Sequence, residues 1–308
     1  GLTTADMKQL MKEAGPNGIS LAQIEAMMPR SADERIKPDA PSGRPDKDCP
    51  GLVYGTGKRA ICLPLGQLSF ADVAVSFKPG AKPSRTPFDF PGSALGEPDY
   101  RSTTSADFIS LGCDGELVVQ FTDNVLVDVE GVDLYIFEIG PIVERTELAI
   151  SVDGRDWVEV GVIEGARSDV DIRPFAKKGE RYGFVRLRNA GKACGGNHAG
   201  ADIDAIAAVG AEIRLSLDSA LLFDVGKSVL KPEALAALDT LAQQVQAYGK
   251  DIRVTVEGHT DSTGADAANL ALSEARAKSV WTYLGQRVAL PANRVNLKGY
   301  GETRPVAT

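Results

Sequence analysis

The sequence predicts two folded domains of different class, an all-β jelly roll or β-sandwich over residues 50–210 and an α+β sandwich with a βαβαβ order over 211–308. Two patterns carry this. Between 51 and 210, short alternations of apolar and polar residues are punctuated by turn dipeptides, with no long helical stripe among them. After 211, apolar stripes at three- and four-residue spacing return between strand-like runs. The length of 308 residues suits two domains.

The elements follow in order. Residues 1–49 read as a helical segment and a Pro-rich linker. Leu10, Met11 and Ala14 recur at helical spacing, Gly15-Pro16-Asn17-Gly18 interrupts them, and Ser20 can cap a second short helix ending before Pro29. From 29 onward Pro, Asp, Lys and Ser dominate, as in an extended strap. Strands are expected at 116–121, 132–138, 147–152, 157–162, 182–188 and 203–209, separated by turn signals such as Asp114-Gly115, Glu130-Gly131 and Asp153-Gly154. Many short strands with regular turns give a sandwich or jelly roll. In the C-terminal third, 213–223 reads as a strand. Pro232 opens a helix striped by Leu235, Leu238, Leu241, Ala242 and Val245 and ended by Gly249. Ile252, Val254 and Val256 alternate with polar residues as a half-buried strand. Asp266 is placed to cap a second helix bearing Leu270, Ala277, Val280, Trp281 and Leu284, and 294–300 forms the last strand.

Composition excludes some functions. Residues 211–308 hold 11 of the 34 basic and 11 of the 42 acidic side chains, so the whole net charge of −8 falls on the first 210 residues. An acidic surface argues against nucleic acid as a partner. It reads as a solvated face that is also compatible with a cation site. No run of 18 apolar residues occurs, so no transmembrane helix is expected.

The four cysteines, Cys49, Cys62, Cys113 and Cys194, contain no C-x-x-C pair, and only two histidines accompany them, which disfavours a zinc cage. Two disulfides in an oxidising compartment fit better than four buried thiols. Three pairings are possible and the sequence alone does not choose. The expected one joins Cys49 to Cys62 around a local loop and Cys113 to Cys194 between distant strands.

The chemistry concentrates in Glu257-Gly258-His259-Thr260-Asp261-Ser262-Thr263-Gly264, a strand end and Gly-bracketed loop leading into a helix. Asn269 and Arg276 lie seven apart on that helix and share a face. A carboxylate beside a guanidinium in a shallow pocket suits a zwitterion: Asp261 takes an ammonium, and the planar fork of Arg276 takes a carboxylate. The structural alternative is a plain ion pair between them. His259 has no Ser or Cys nucleophile and no second His beside it, so it reads as a pocket wall.

These residues resemble the OmpA C-terminal family. The match rests on the run 257–264, on Asn-x-x-Leu-Ser-x-x-Arg-Ala from Asn269 to Ala277, on Leu222-Phe223-Asp224, and on Gly299-Tyr300-Gly301-Glu302-x-x-Pro305. The resemblance implies non-covalent binding of peptidoglycan. Asp261 and Arg276 would hold meso-diaminopimelate of the stem peptide, and Thr260, Asn269, Leu270 and Asp224 would line the same pocket. With the cysteines, it implies the periplasm of a Gram-negative bacterium and an association with the outer membrane.

Residues 50–210 resemble galactose-binding-like, discoidin-type jelly rolls, through Ala94-Leu95-Gly96-Glu97-Pro98-Asp99, Ser110-Leu111-Gly112-Cys113-Asp114-Gly115, Asp133-Leu134-Tyr135-Ile136-Phe137-Glu138 and Gly200-Ala201-Asp202-Ile203-Asp204. That resemblance implies a structural calcium, with Asp99, Asp133, Glu138, Asp202 and Asp204 as candidate ligands. Asp202 and Asp204, two apart on a strand, are expected to face one side. Trp157 is the one candidate sugar platform, with an inward core position as its bland reading.

The leading expectation is a non-catalytic anchor to the cell wall whose β-domain meets another envelope protein, a glycan or calcium. The alternatives are a glycan-modifying enzyme targeted to peptidoglycan, for which no carboxylate pair stands out, and a structural component of an envelope or secretion assembly.

Overall fold

A computed structural model describes residues 43–303 except 83–87, 105–106, 140–142, 166–167, 192–193, 196–197, 216–221 and 248–251. The helices expected within 1–28 lie outside the described residues. The Pro-rich strap extends less far than expected, because β1 (Arg44–Asp46), β2 (Cys49–Tyr54) and β3 (Ile61–Leu63) form an antiparallel hairpin sheet. Cys49 and Cys62 are bonded within it.

The strands that follow are β4 (Val73–Lys78), β5 (Ile109–Ser110), β6 (Glu116–Gln120), β7 (Asn124–Leu126), β8 (Leu134–Glu138), β9 (Val143–Ser151), β10 (Trp157–Gly165), β11 (Asp169–Val170), β12 (Phe184–Asn189) and β13 (Asp202–Ala208). All but β7 form two antiparallel sheets, ordered β10-β9-β12-β6-β4 and β11-β8-β13-β5.

Side-chain alternation explains why these segments are strands. Val119, Val185 and Ile150 stand in one cross-strand row, and Leu117, Leu187 and Leu148 in the next row of the same face. All six are fully buried. Burying each contributes about 1.5–3 kcal/mol. The flanking rows, Gln120-Phe184-Ser151 and Glu116-Arg188-Glu147, point to the other face. β8 and β13 supply Leu134, Ile136, Ile203 and Ile206 as the buried residues of the second sheet. Cys113 and Cys194 close the second disulfide across 81 residues.

Parity also places Trp157. It pairs with Ser151, in the row of Phe184 and Gln120, on the face opposite the apolar rows. The inward core position expected for it does not hold. It is half-buried, with the Arg186 guanidinium 4.9 Å over its ring.

In the C-terminal third, β14 (Ala211–Leu215), α1 (Leu235–Ala247), β15 (Val254–Gly258), α2 (Asp266–Leu284) and β16 (Val295–Gly299) give the expected βαβαβ order. β14, β15 and β16 are parallel neighbours, and β7 adds an antiparallel edge beside β14. Parallel strands require crossovers, which the two helices supply. Leu238, Ala242 and Val245 of α1 and Ala277, Val280 and Leu284 of α2 bury against Ile213, Leu215, Val254 and Val256. The first strand begins at Ala211, two residues before its expected start, and does not reach Phe223, and Asp266 is the first helical residue rather than a cap, the N-cap being Ala265.

The chain divides into two compact units, and the division is not the three consecutive stretches expected. Residues 70–122 and 128–208 form one unit. Residues 43–69, 123–127 and 209–303 form the other. The reason is pairing: β7 joins β14, and Leu65 joins the core of the βαβαβ unit. Among the described residues no helix is long and apolar enough to cross a membrane.

Candidate functional site

The site is built on the buried face of α2. Asn269, Ser273, Arg276, Ala277, Val280 and Leu284 form that face. Its C-terminal half is apolar and belongs to the core, whereas its N-terminal half is polar and lies over the ends of β15 and β16. Two glycines permit the approach. A Cβ on Gly258 would stand 2.0 Å from the Ser273 carbonyl oxygen, and one on Gly299 would stand 2.4 Å from Ser273 Oγ. Gly301 N–H donates to Ser273 Oγ at 2.9 Å, and Thr260 N–H donates to Gly301 O at 3.0 Å, so the loops after the two strands are joined.

Asp261 lies exposed in the first of these loops. Its Oδ1 accepts from Thr263 N–H at 3.1 Å, and its carbonyl accepts from Asn269 Nδ2 at 3.3 Å. Arg276 is 8% exposed. Its Nε donates to Lys227 O at 3.0 Å and its Nη2 to Asp224 O at 3.3 Å, and its Cζ lies 5.2 Å over the Phe223 ring. Burial lowers its pKa and the charge of Asp261 works against that. A guanidinium remains charged regardless. Asp261 and Arg276 therefore feel one another without joining in an ion pair. The plain ion-pair alternative is not what the fold makes.

The other expected pocket residues take varied places. Asn269 is buried and bridges Asp261 to Glu302 Oε2, the latter at 2.8 Å. Leu270 is 44% exposed on α2. Thr260 Oγ1 is buried with no hydrogen-bond partner. Asp224 turns its carboxylate outward to Lys227 Nζ at 3.0 Å, which lowers its pKa, and offers Arg276 its carbonyl instead. Sequence reasoning missed Lys227 and Glu302. Lys227 serves through its backbone carbonyl, which no residue type signals. Glu302 was visible within the Gly-Tyr-Gly-Glu run.

His259 forms a wall. Its ring stacks on Tyr300 at 5.5 Å, and its Nε2 lies 3.6 Å from Glu257 Oε2. Burial works to raise the Glu257 pKa, but His259 and Arg214, 2.8 Å away, hold it below its usual value.

In the β-sandwich unit, the five calcium candidates engage three separate arrangements. Asp204 Oδ1 accepts from Asp99 N–H at 3.0 Å. Asp202 accepts from Ser110 Oγ and lies near Glu138 and Glu144. Asp133 accepts from Val129 and Ile172 N–H at 2.7 and 2.9 Å. β13 bulges between the two aspartates, where Ile203 pairs with Glu138 and Ala205 with Phe137, leaving Asp204 as the extra residue, so the simple alternation behind the same-face expectation does not apply there.

Among the described residues, only Asp128, Asp133 and Asp171 bring three carboxylates within 4.8 Å of one another. That cluster already has its cation. Arg173 Nε contacts Asp128 at 3.0 Å, its guanidinium also reaches Val129 O, and its own N–H meets Asp171 at 2.9 Å. With both Asp133 oxygens taken by backbone donors and Asp128 held by Arg173, these three do not fit a dedicated calcium cage.

Burial raises several of these acids. Asp133 rises to about 6. Glu138 rises to about 8, through burial first and then the charges of Glu144 and Asp202. Glu144 rises to about 7, and Asp202 is raised as well.

The C-terminal unit is thus a small α/β domain with a buried guanidinium on α2 and an exposed carboxylate in the loop after β15. Residues 222–308 match the OmpA family, and the chain carries a domain of that family there. Over 106 residues the chain is 42% identical to outer membrane porin F of Pseudomonas aeruginosa, a stretch that takes in 34% of this chain and 29% of that protein. The chain is also similar to the peptidoglycan-associated lipoprotein from Burkholderia pseudomallei, at 25% identity, covering 28% of this chain and 72% of that one with a TM-score of 0.26. A chitosan-binding module of a chitosanase/glucanase from Paenibacillus sp. IK-5 is similar at 12% identity, covering 46% of this chain and 96% of that module with a TM-score of 0.31. The chain spans well under half the length of the curated relatives it matches.

Proposed function

We propose that this chain is a non-catalytic anchor to peptidoglycan, in which the C-terminal unit binds the free amino-acid centre of meso-diaminopimelate in a stem peptide. The observation that carries the reading is the unpaired geometry of Asp261 and Arg276. Arg276 is buried and oriented by two backbone carbonyls, yet Asp261 does not neutralise it. A ligand carboxylate at the guanidinium and its ammonium at Asp261 complete both charges. Relatives whose names place them in the outer membrane or with peptidoglycan support a periplasmic, outer-membrane-associated setting. The β-sandwich unit then offers its surface to an envelope partner or a glycan. The most perturbed carboxyl of that unit, Glu138, is 7% exposed and so is poorly placed to meet a glycan.

The test is co-sedimentation with diaminopimelate-type sacculi. The intact chain is expected to pellet with them, and Asp261→Ala and Arg276→Ala each to stay in the supernatant while keeping wild-type circular dichroism. Undiminished sedimentation of both variants would defeat the reading.

A further inference from the structure

The acidic side of the pocket holds a second carboxylate besides Asp261. Glu302 sits on the turn after β16, where Thr303 N–H returns to Tyr300 O at 3.1 Å and Gly301 takes a left-handed φ of +53°. A Cβ at Gly301 would come within 3.1 Å of Leu270 N, so this turn is pressed against the opening of α2. The buried amide of Asn269 ties Glu302 to the loop that carries Asp261: one nitrogen donates to Glu302 Oε2 at 2.8 Å and to the Asp261 backbone carbonyl at 3.3 Å. Those two acceptors therefore lie no more than about 6 Å apart. Asp261 spends one carboxylate oxygen on Thr263 N–H and Glu302 spends one on Asn269. Neither forms an ion pair with a Lys or Arg among the described residues, and each carboxylate has lone pairs to spare.

We infer that Glu302 is a second ligand for the ammonium, so that Asp261 and Glu302 clamp a primary amine while Arg276 takes the adjacent carboxylate. This deepens the proposed function and rests on it. An ammonium presents three donors, which two carboxylates and the orphaned Thr260 Oγ1 can meet together. An acylated amine offers one donor and no charge. The clamp therefore selects the diaminopimelate centre whose amine is free, which in a wall is the uncrosslinked stem peptide. The competing account makes Glu302 only a brace for Asn269.

Isothermal titration of the intact chain with meso-diaminopimelate separates the two. Glu302→Gln keeps an acceptor for Asn269 and removes the charge, Glu302→Lys reverses it, and Glu302→Ala removes both charge and acceptor. The clamp predicts about 10-fold weaker binding for Glu302→Gln, the loss of a charge-assisted bond, and a larger loss for Glu302→Lys, with wild-type melting for both. It also predicts a shallower salt dependence in Glu302→Gln. Wild-type affinity in Glu302→Gln with loss only in Glu302→Ala would make Glu302 a brace and overturn the inference, leaving the anchoring role intact. Absence of binding by the wild-type chain, matched by Asp261→Ala, would remove both.

Discussion

Glu138 gives the sharpest test of the β-sandwich unit. It ends β8, is 7% exposed, and burial with the nearby Glu144 and Asp202 raises its pKa to about 8 from 4.5. The folded state therefore binds a proton that the unfolded chain releases above pH 4.5. Stability from this group is fully present below the unfolded value and is lost as pH rises through about 8. Each pH unit in that window costs about 1.4 kcal/mol, giving an upper bound of about 5 kcal/mol across it. Glu144 and Asp202 share the penalty, so we take about 2–3 kcal/mol as the part Glu138 contributes alone. In a unit of this size that is about 4–12 °C in melting temperature. Thermal melts of the wild type between pH 5.5 and 8.5 should fall steeply. Glu138→Gln, neutral throughout, should flatten the fall and be the more stable form at pH 8.5. Amide exchange in β8 and β13 should accelerate with pH in the wild type alone. A flat wild-type profile, or one with the same slope in Glu138→Gln, would refute the reasoning.

Other consequences are simpler to state. Gly258→Ala places a Cβ 2.0 Å from the Ser273 carbonyl, so α2 must shift; titration should register loss of diaminopimelate binding of 10-fold or more together with a lower melting temperature, and unchanged affinity would contradict the glycine's assigned part. Arg276→Lys keeps the charge but cannot reach both Asp224 O and Lys227 O, so binding should drop by about 10- to 100-fold, the worth of one or two charge-assisted bonds; a wild-type Kd would argue that fork geometry does not matter. Opening Cys113–Cys194, which closes 81 residues, by Cys113→Ser with Cys194→Ser should cost about 4–5 kcal/mol on the loop-entropy model, seen as a large drop in the urea midpoint. Arg173→Ala leaves Asp128, Asp133 and Asp171 without their cation; melting in millimolar calcium should then rise in the variant more than in the wild type, and equal shifts would count against Arg173 as the balancing charge.

How much of this was legible in the sequence depends on whether a feature is local. Six of the nine strands of the sandwich and the βαβαβ order could be read because alternation and helical stripes are properties of neighbouring residues, while β4 and the short β5 and β11 were not. The six central strands all fall where turn dipeptides bracket them. The division into units was not legible, because β7, which lies in sequence between the two stretches of the first unit, pairs with β14 and belongs with it to the second, and three residues of edge strand carry no mark of their partner. The alternation behind the same-face assignment of Asp202 and Asp204 is interrupted for a related reason: a bulge adds one residue between Ile203 and Ala205, and nothing in Asp-Ile-Asp announces it. Trp157 shows the converse, since counting alternation from the neighbouring strand places it correctly once the pairing is known.

The polar half of α2's buried face was legible by a different route. Read as a helix, α2 has a buried stripe that is polar in its first half, with Asn269, Ser273 and Arg276, and apolar in its second. Burying a guanidinium and an amide costs several kcal/mol unless each is hydrogen-bonded. The fold meets that cost for Arg276 with backbone carbonyls, not with the nearby Asp261. A stability-driven helix would have extended its apolar stripe or closed the ion pair. Leaving opposite charges near each other and unjoined makes sense where a third species completes them, and in the proposed reading that species brings an ammonium to Asp261 and Glu302, whose residues Asn269 links, as well as a carboxylate to Arg276.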